Sequence, residues 1–306
     1  MTAAASTPVD SNAEEALGDL TAPPAAGRRA KDVLFRLFLI VSVLFALGTL
    51  ATLIIQLFVD GWSRLNMDLL QNMPSARPAR AGIQSAIFGS LWVVGTTAVL
   101  SLPLGVAAAL YLEEFAHKGR WYNRLIELNI QNLAGVPSVV YGILGLAFVA
   151  RGPLDLGFTV LTAALILTMV VLPTVVIASR EAIRAVPSSL RDGGLALGAT
   201  KWQTVSRQIL PSAVPGIATG SILATSRALG ESAPLLLLGA LTFVTFNPEG
   251  FDSSYTVLPL QIFKYISDAK DEFRPLAAAA SIVLLVFLIV MNSLAIIVRN
   301  RFQRKW

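Results

Sequence analysis

Long runs without a charged residue alternate with short charged clusters along most of this 306-residue chain. Five of these runs are at least 23 residues long and lie at 37–59, 82–112, 128–150, 156–179 and 275–298. A sixth apolar region, 209–248, is interrupted only by Arg227 and Glu231. A membrane-spanning helix needs about 20 apolar residues, and only helices or closed barrels satisfy their backbone hydrogen bonds inside lipid. The pattern therefore predicts an all-α membrane protein with six transmembrane helices.

The amino-acid composition supports this prediction. Hydrophobic residues make up 55% of the chain and charged residues only 14%, whereas soluble domains carry about 25% charged residues. The mean hydropathy is +0.67. These values exclude an ordinary soluble enzyme and a disordered chain. Because the chain has no cysteine and a single histidine, His117, we expect no disulfide, no metal site and no catalytic residue.

The order of apolar runs and charged clusters divides the chain into segments. We predict a disordered cytoplasmic tail at 1–30, a first transmembrane helix at 31–60, a periplasmic loop at 61–81, a core at 82–298 and a basic cytoplasmic tail at 299–306. Within the core we expect helices at about 83–112, 128–150, 156–179, 212–242 and 275–298, with a cytoplasmic loop at 180–211. The first residues are not a signal peptide, because their acidic start is wrong for one.

The distribution of Lys and Arg between the two sides of the membrane predicts the orientation. Sixteen of the 24 Lys and Arg residues lie on the side that holds both chain ends, against seven on the other side. Since cytoplasmic loops carry the excess of positive charge, both termini are predicted to be cytoplasmic. The net charge of +5 then follows from topology, so we expect contact with membrane lipid and not with nucleic acid.

Proline and glycine interrupt the third, fourth and fifth predicted spans. The breaks are Gly135-Val136-Pro137, Pro173, Pro211, Pro215 and Pro234. Proline removes a backbone donor and bends a helix, which lipid tolerates only where neighbours or water satisfy the freed groups. The breaks are either ordinary kinks in a bundle or the sign of a pathway built in these spans. The pair Gly216-x-x-x-Gly220 predicts close approach of another helix.

The cytoplasmic loop at 180–211 has the signals of two short helices joined at a glycine. Ser188 or Ser189 can cap the first helix, which Gly198 can end in a left-handed conformation. Thr200 can cap the second helix. Because both helices are attached to membrane spans, this corner either transmits force from a soluble partner or is a solvated loop with a cationic face.

A charged pair lies within the sixth apolar region. Arg227 and Glu231 are four residues apart, so a continuous helix would place them on one face. A charge near the middle of the bilayer costs at least about 2.5–3.5 kcal/mol, which makes such residues functional candidates. Arg227 can bind an anion through its paired donors, with Glu231 positioning it. The alternative is an Arg–Glu pair that only holds helices together.

Two other stretches carry weaker signals. The segment 257–268 has apolar residues at helical spacing and predicts a short amphipathic helix in the outer loop, which lies at the membrane interface or touches a binding protein. Glu113 and Glu114 stand beside several basic residues of the second loop. We interpret them as part of a solvated cytoplasmic face.

The cytoplasmic loop resembles the EAA signature of ABC importer permeases, whose pattern is EAA-x3-G-x9-I-x-L-P. Asp192-Gly193-Gly194, then Gly198 and finally Leu210-Pro211 fit this spacing. The sequence departs from the pattern in having Asp-Gly-Gly for Glu-Ala-Ala and Gln208 for Ile. These departures concern individual docking contacts and leave the class of protein unchanged.

Further motifs are similar to the PstA family of phosphate ABC transporter permeases. They are Asn132-Leu-Ala-Gly-Val-Pro-Ser-Val-Val-Tyr-Gly142, Arg227-Ala-Leu-Gly-Glu-Ser-Ala-Pro234 and Leu258-Pro-Leu-Gln-Ile-Phe263. The resemblance covers roughly 81–298 and implies a type I ABC importer (MetI-like) permease fold. It implies three partners: a second permease of the PstC type, an ATPase dimer of the PstB type and a periplasmic phosphate-binding protein.

Together with the breaks and the charged pair, this resemblance predicts two sets of functional residues. The substrate pathway is predicted at Arg227, Glu231 and Ser232, with Asn132, Pro137, Ser138 and Tyr141 as lining candidates. Coupling to the ATPase is predicted through Arg191, Asp192, Gly193, Gly194, Leu195, Ala196, Leu197, Gly198 and Ala199. We expect no cofactor in this chain, since ATP and Mg would bind the partner ATPase.

The sequence leaves alternatives open for the cargo and for the transport mechanism. Arg227 would also suit sulfate or molybdate, so the chain can serve an importer for another oxyanion or solute. A stand-alone, ion-coupled secondary carrier is the third reading, and it would carry inverted repeats, which the sequence does not display.

Overall fold

The structure, a computed structural model, describes residues 26–117, 119–238 and 243–302. Of the predicted disordered tail at 1–30, residues 1–25 lie outside the described part, whereas a helix already begins at Ala26. The predicted basic tail at 299–306 continues the last helix to Phe302, and its final four residues lie outside the described part. Within these ranges every regular element is a helix, apart from an isolated β-bridge between Thr159 and Ser254.

Twelve α-helices are numbered here in chain order over the described residues. They are α1 Ala26–Gly61, α2 Met67–Gln71, α3 Gln84–Leu110, α4 Trp121–Ala134, α5 Ser138–Leu144, α6 Val160–Arg184, α7 Ser188–Ala196, α8 Lys201–Thr204, α9 Leu210–Gly230, α10 Ala233–Leu237, α11 Leu258–Ile266 and α12 Arg274–Phe302. Wider π turns continue α3 over Tyr111–Phe115, continue α5 over Gly145–Ala150, and join α8 to α9 over Val205–Ile209. Five helical stretches are long and apolar enough to cross a membrane, or six if α4 and α5 count as one span.

The chain divides into two compact units, residues 1–56 and 57–306. The described part of the first unit is most of α1, which carries no charged residue from 37 to 59, as is typical of a helix in lipid. The second unit holds all the other helices and the core of the protein.

Helix α6 is the central element of the second unit, and α3 and α9 pack along it. Small residues make these approaches close. A Cβ added at Gly105 of α3 would lie 2.6 Å from Val175, and one added at Gly216 of α9 would lie 2.7 Å from Ala182. A Cβ at Gly220 would overlap Ala178. The helix contact predicted for Gly216-x-x-x-Gly220 is therefore confirmed.

The third predicted span, 128–150, differs from a straight crossing. Helix α4 starts earlier, at Trp121, and α5 leaves it at an angle of 103° after the break at residues 135–137. Trp121–Ala134 and Ser138–Ala150, the latter with its π turn, are each about 20 Å long at about 1.5 Å per residue, and so are shorter than a hydrocarbon core of about 30 Å. Pro137 lies before the first turn of α5, where its missing donor costs nothing.

The fifth predicted span, 212–242, is longer at its start and broken near its end. The helical path runs without interruption from Lys201 to Gly230. The π turn Val205–Ile209 precedes Pro211, which cannot donate a backbone hydrogen bond. After Gly230 the chain is extended at Glu231, and α10 restarts at Ala233, while residues 239–242 lie outside the described part.

A segment before α12, residues 243–266, covers the ends of α3 and α6 opposite to α7. The backbone N–H of Leu258 donates to Ser90 Oγ at 2.9 Å, and the Tyr265 hydroxyl donates to the Gly82 carbonyl at 2.6 Å. Burial raises the pKa of the Tyr265 phenol, so this hydroxyl stays a donor at physiological pH. Helix α11 buries one face here, which confirms the predicted amphipathic helix.

Gly89 of α3 provides a test of this packing. A Cβ at Gly89 would overlap the carbonyl oxygen of Thr256, whereas a Cβ at Gly95 of the same helix meets nothing within 4 Å. We expect Gly89→Ala to lower the stability by about 1–3 kcal/mol, because the backbone of the covering segment must move. Gly95→Ala should be neutral or stabilising by up to about 1 kcal/mol, because Ala favours a helix. Thermal unfolding of both variants in detergent measures the difference, and equal midpoints would contradict the close packing.

Candidate functional site

The predicted two-helix corner is present between α6 and α9. We call residues 188–204 the α7–α8 corner. Gly198 has φ +80°, the left-handed conformation expected of it. Thr200 caps α8 through a capping box, in which Gln203 N donates to Thr200 Oγ1 at 3.3 Å and Thr200 N donates to Gln203 Oε1 at 2.9 Å.

The start of α7 differs from the expectation. Pro187 occupies the position before the helix, and no side chain caps it. Ser188 and Ser189 both lie inside the first turn instead of before it. A residue that precedes the first turn needs only an extended backbone, which proline supplies at ψ 136°.

Most of the residues predicted for ATPase coupling form an exposed surface. Leu197 at the tip is 87% exposed, and Leu190, Leu195 and Trp202 also present large apolar side chains. Asp192, Gly193, Ala196 and Gly198 are exposed, and Ala199 is half-buried. Gly194 is the exception: it is buried, and a Cβ there would lie 2.9 Å from the hydroxyl of Thr204. Gly194 therefore packs α7 against α8, and the apolar tip stands free on the described chain.

The side chains of Glu113 and Glu114 are only 6% and 3% exposed, so their interpretation as a solvated face is wrong. They lie in the π turn that ends α3 and point to different partners. Glu113 accepts from Arg180 at 2.6 Å and pairs with Arg184 at 2.8 Å. Glu114 pairs with Arg191 of the α7–α8 corner. Buried carboxylates require such partners, because an unpaired charge away from water is very costly.

The ion pairs extend to a fourth helix. Arg180 of α6 is buried and also donates to Glu127 of α4 at 2.7 Å. We call these six residues the charge cluster: Glu113, Glu114, Glu127, Arg180, Arg184 and Arg191. It joins α3, α4, α6 and α7 at one end of the bundle. A single sequence gives no signal for it, because its members are up to 78 residues apart.

A cavity of about 600 Å³ lies beside the charge cluster. Its lining includes Glu114 of α3, Arg184 of α6, Arg191 and Leu195 of α7, and Lys201 of α8. The Lys201 ammonium lies 5.4 Å from the centre of the Phe115 ring. Space is therefore present beside α7, and Thr204, on which Gly194 packs, borders it.

Arg227 and Glu231 form an ion pair, although they do not share one continuous helix. Helix α9 ends at Gly230, and Glu231 is the first residue beyond it, with an extended backbone. Arg227 Nε lies 3.4 Å from Glu231 Oε1. The Arg227 side chain is 54% exposed and that of Glu231 16% exposed. Over the described residues the two terminal nitrogens of Arg227 make no hydrogen bond, so they can receive a ligand.

The break after α9 lies against α5. A Cβ at Gly142 would lie 2.6 Å from the carbonyl oxygen of Pro234, which places the backbone of α5 on that of α10. Ser232 is half-buried in this break. The motifs that contain Gly142 and Pro234 are therefore neighbours in space, although about 90 residues separate them in the sequence.

The remaining pathway candidates have different surroundings. Asn132 and Pro137 are exposed and Ser138 is half-buried, so these three positions remain accessible on the described chain. Tyr141 is buried, and its hydroxyl donates to the Leu133 carbonyl at 2.9 Å, which stabilises the α4–α5 bend. No side-chain hydrogen bond of the described residues joins Asn132 or Ser138 to the Arg227–Glu231 pair.

One polar contact that we did not predict lies beside this pair. Ser226 of α9 donates to Asn292 of α12. Asn292 stands inside an apolar run, which is the sequence signal for a polar contact between helices in lipid. The contact fastens α12 to the helix that carries Arg227.

Known proteins similar to this chain are membrane transport components. Residues 101–306 match the family described as binding-protein-dependent transport system inner membrane component. YqgI of Bacillus subtilis (strain 168), a probable ABC transporter permease protein, is 34% identical over 219 residues, covering 70% of this chain and 74% of YqgI. The phosphate transport system permease protein PstA 1 of Mycobacterium tuberculosis (strain ATCC 25618 / H37Rv) is 31% identical over 283 residues, covering 90% of each protein.

Solved structures share the fold at lower identity. A bacterial alginate ABC transporter, crystallised with a periplasmic protein bound to alginate pentasaccharide, has a chain with a TM-score of 0.65 and 19% identity; the match covers 87% of this chain and 93% of that chain. The MetNI methionine ABC transporter in inward-facing conformations gives a TM-score of 0.59 at 15% identity, covering 72% and 95%. The predicted MetI-like fold class is confirmed.

Gly198 tests whether the shape of the corner depends on its left-handed residue. Gly198 and Gly193 both have open space where a Cβ would stand, but only Gly198 has positive φ. We expect Gly198→Ala to destabilise the corner by about 1 kcal/mol and to speed amide exchange over 188–204. Gly193→Ala should slow that exchange, because Ala favours the helix. Hydrogen–deuterium exchange in detergent measures both, and equal exchange in the two variants would contradict the assignment.

Proposed function

Because this chain belongs to the family of inner membrane components of binding-protein-dependent transport systems, we propose that it is the permease subunit of an ATP-driven phosphate importer. It is a multi-pass protein of the bacterial inner membrane, and its role is transport and not catalysis. It forms the translocation pathway together with a second permease subunit.

One observation carries this proposal: the similarity to the phosphate permease PstA 1 extends over 90% of both proteins. It is not confined to the segment that ABC importer permeases share, and PstA proteins of other bacteria match at comparable coverage, such as that of Haemophilus influenzae at 28% identity over 87% of the chain. The match therefore includes the regions around the α5–α10 contact and the Arg227–Glu231 pair.

The chemistry of the charged pair suits an oxyanion in transit. A guanidinium binds a tetrahedral oxyanion through paired donors, and the terminal nitrogens of Arg227 are available for this. Glu231 keeps the net local charge near zero. A pathway needs binding that is weak enough for release, and the nearby carboxylate prevents tight trapping of the anion. We assign Ser232, Asn132, Pro137 and Ser138 to the lining of this pathway.

The exposed polar groups favour a second permease subunit as the neighbour. Arg227 is the one charged residue of α9 and its side chain is 54% exposed, and Asn132 is exposed near the end of α4. Polar groups at membrane depth face a protein interior or a water-filled cavity and not lipid. A PstC-type subunit across this surface would enclose the pathway between the two chains.

The α7–α8 corner is the docking site for a separate ATPase dimer of the PstB type. ATP and Mg bind to that partner, and this chain itself holds no cofactor. A periplasmic phosphate-binding protein delivers the anion at the opposite end of the bundle. Binding and hydrolysis of ATP then move the corner, and the two permeases alternate between outward and inward access.

The role of Arg227 is tested by removing its charge. In proteoliposomes that contain the complete transporter, we expect Arg227→Ala to lower phosphate uptake at least about tenfold, since charge-assisted hydrogen bonds contribute about 1.5–3 kcal/mol. The subunits should still co-purify. Arg274→Ala is the matched control, because Arg274 pairs with Asp271 three residues away but lies 72% exposed outside the apolar run.

The double reversal Arg227→Glu with Glu231→Arg separates anion binding from a simple lock between helices. Anion binding predicts that uptake remains low, because the guanidinium has moved out of α9. Recovered uptake would show that the pair only holds the structure together. Uptake inhibited by sulfate and not by excess unlabelled phosphate would assign the importer to another oxyanion.

The docking of the ATPase is tested at the tip of the corner. We expect Leu197→Asp to reduce co-purification of the ATPase subunit at least about tenfold, the effect of about 1.4 kcal/mol, because a charge replaces an apolar contact. Leu154→Asp is the control, as Leu154 is 58% exposed in a turn at the opposite end of the bundle. Normal recovery of the ATPase with Leu197→Asp would place its docking surface elsewhere.

A further inference from the structure

The ion pair Glu114–Arg191 is the contact that fastens α7 to α3. By chain connection, α7 is attached only to α6 and, through Gly198, to α8. Arg191 reaches across to α3 with one edge of its guanidinium: Nε donates to Glu114 Oε2 at 3.2 Å, and Nη2 donates to Glu114 Oε1. Two parallel hydrogen bonds fix the direction of the side chains as well as their separation.

Because the Glu114–Arg191 ion pair is largely buried, separating its two side chains is costly. The Glu114 side chain is 3% exposed and that of Arg191 33% exposed. Separating the two would leave a buried carboxylate without a partner, which is strongly unfavourable. Apolar contacts between helices can shift by small steps without such a cost. The corner also contacts the end of α3 at Phe115, where the Trp202 ring is tilted with its centre 6.2 Å away and the Lys201 ammonium lies 5.4 Å from the ring centre.

The two carboxylates in the π turn at the end of α3, Glu113 and Glu114, bind to two different helices. Glu113 bonds to Arg180 and Arg184 of α6, the central helix, while Glu114 bonds to α7. Successive side chains of a helix point about 100° apart, so adjacent residues can reach different neighbours. The end of α3 is thus held between the central helix and the corner.

The corner has room to move on the side of this pair. The cavity of about 600 Å³ separates α7 from Arg184 of α6, and Leu195 and Lys201 border it without filling it. Gly194 packs on Thr204 of α8 at the border of the same cavity.

We infer that Glu114 and Arg191 are positioning residues of transport, which transmit a displacement of the α7–α8 corner to helix α3. The inference rests on the proposed function, in which an ATPase moves the corner. Helix α3 in turn carries Ser90 and Gly89, which hold the covering segment 243–266 at the far end. The pair connects the two ends of the bundle through one helix.

The test measures coupling and not only activity. In the complete transporter, Glu114→Gln and Arg191→Gln should lower phosphate uptake about tenfold at saturating ATP. In Glu114→Gln, basal ATP hydrolysis should stay within about twofold of the unmodified complex, so that the phosphate moved per ATP falls. Arg184→Gln is the matched control: it also removes a cation of the charge cluster, but Arg180 still holds Glu113, and α7 keeps its bond to α3.

A second variant keeps the test decisive where a substitution impairs folding. The chain has no cysteine, so Glu114→Cys with Arg191→Cys can be bridged by a bifunctional thiol reagent. We expect low coupling in the unbridged double variant and restored coupling when the bridge replaces the ion pair. A bridged complex that fails to transport would overturn the inference, because the two residues would then have to separate during the cycle. Unchanged coupling in all the unbridged variants would overturn it as well.

Failure of the proposed function gives a different result. If the unmodified complex does not accumulate phosphate, the cargo is wrong. The pair is then judged by the stimulation of ATP hydrolysis by the loaded binding protein. We expect that stimulation to be lost in Glu114→Gln and kept in Arg184→Gln, and its survival in Glu114→Gln would overturn the inference.

Discussion

The close approach of neighbouring helices to α6 is the constraint on which the rest of this structure depends. Lipid tails are as apolar as leucine side chains, so helices in a membrane gain little from hiding apolar surface and associate through close contact. Gly105, Gly216 and Gly220 remove the side chains that would hold α3 and α9 away from α6. Once the three helices touch, their ends lie close enough for Glu113 to meet Arg180.

Several features of the fold follow from the sequence because they depend on local physics. Runs of about 20 apolar residues and the lack of charge predict spanning helices wherever they occur. Gly198 and Thr200 predict a corner, since a left-handed glycine and a side-chain cap act within a few residues of their own position. The sequence does not predict the angle of 103° between α4 and α5, because counting apolar residues gives the length of a run and not its direction.

The residues of the candidate site also divide into those that the sequence identifies and those that only the folded structure brings together. A lone arginine and glutamate in an apolar run identify Arg227 and Glu231 from the sequence, because a charge in lipid demands an explanation. The sequence also suggests one helix face for them, but the proline at 234 ends the helix sooner than the four-residue spacing implies. The sequence predicts Glu113 and Glu114 at the surface. It cannot indicate their burial, because their partners come from α6 and α7 and only the folded chain brings those helices to them.

The covering segment 243–266 has a consequence that reaches beyond its own stability. It is hydrogen-bonded to α3 at Ser90 and to Gly82, two residues before α3, while the other end of the same helix holds Arg191. Coupling through α3 is reciprocal. If a ligand at one end binds one position of this helix more tightly, the free energy of that preference changes the affinity at the opposite end by the same amount. The coupling free energy between the two ends of α3 is therefore the same in both directions.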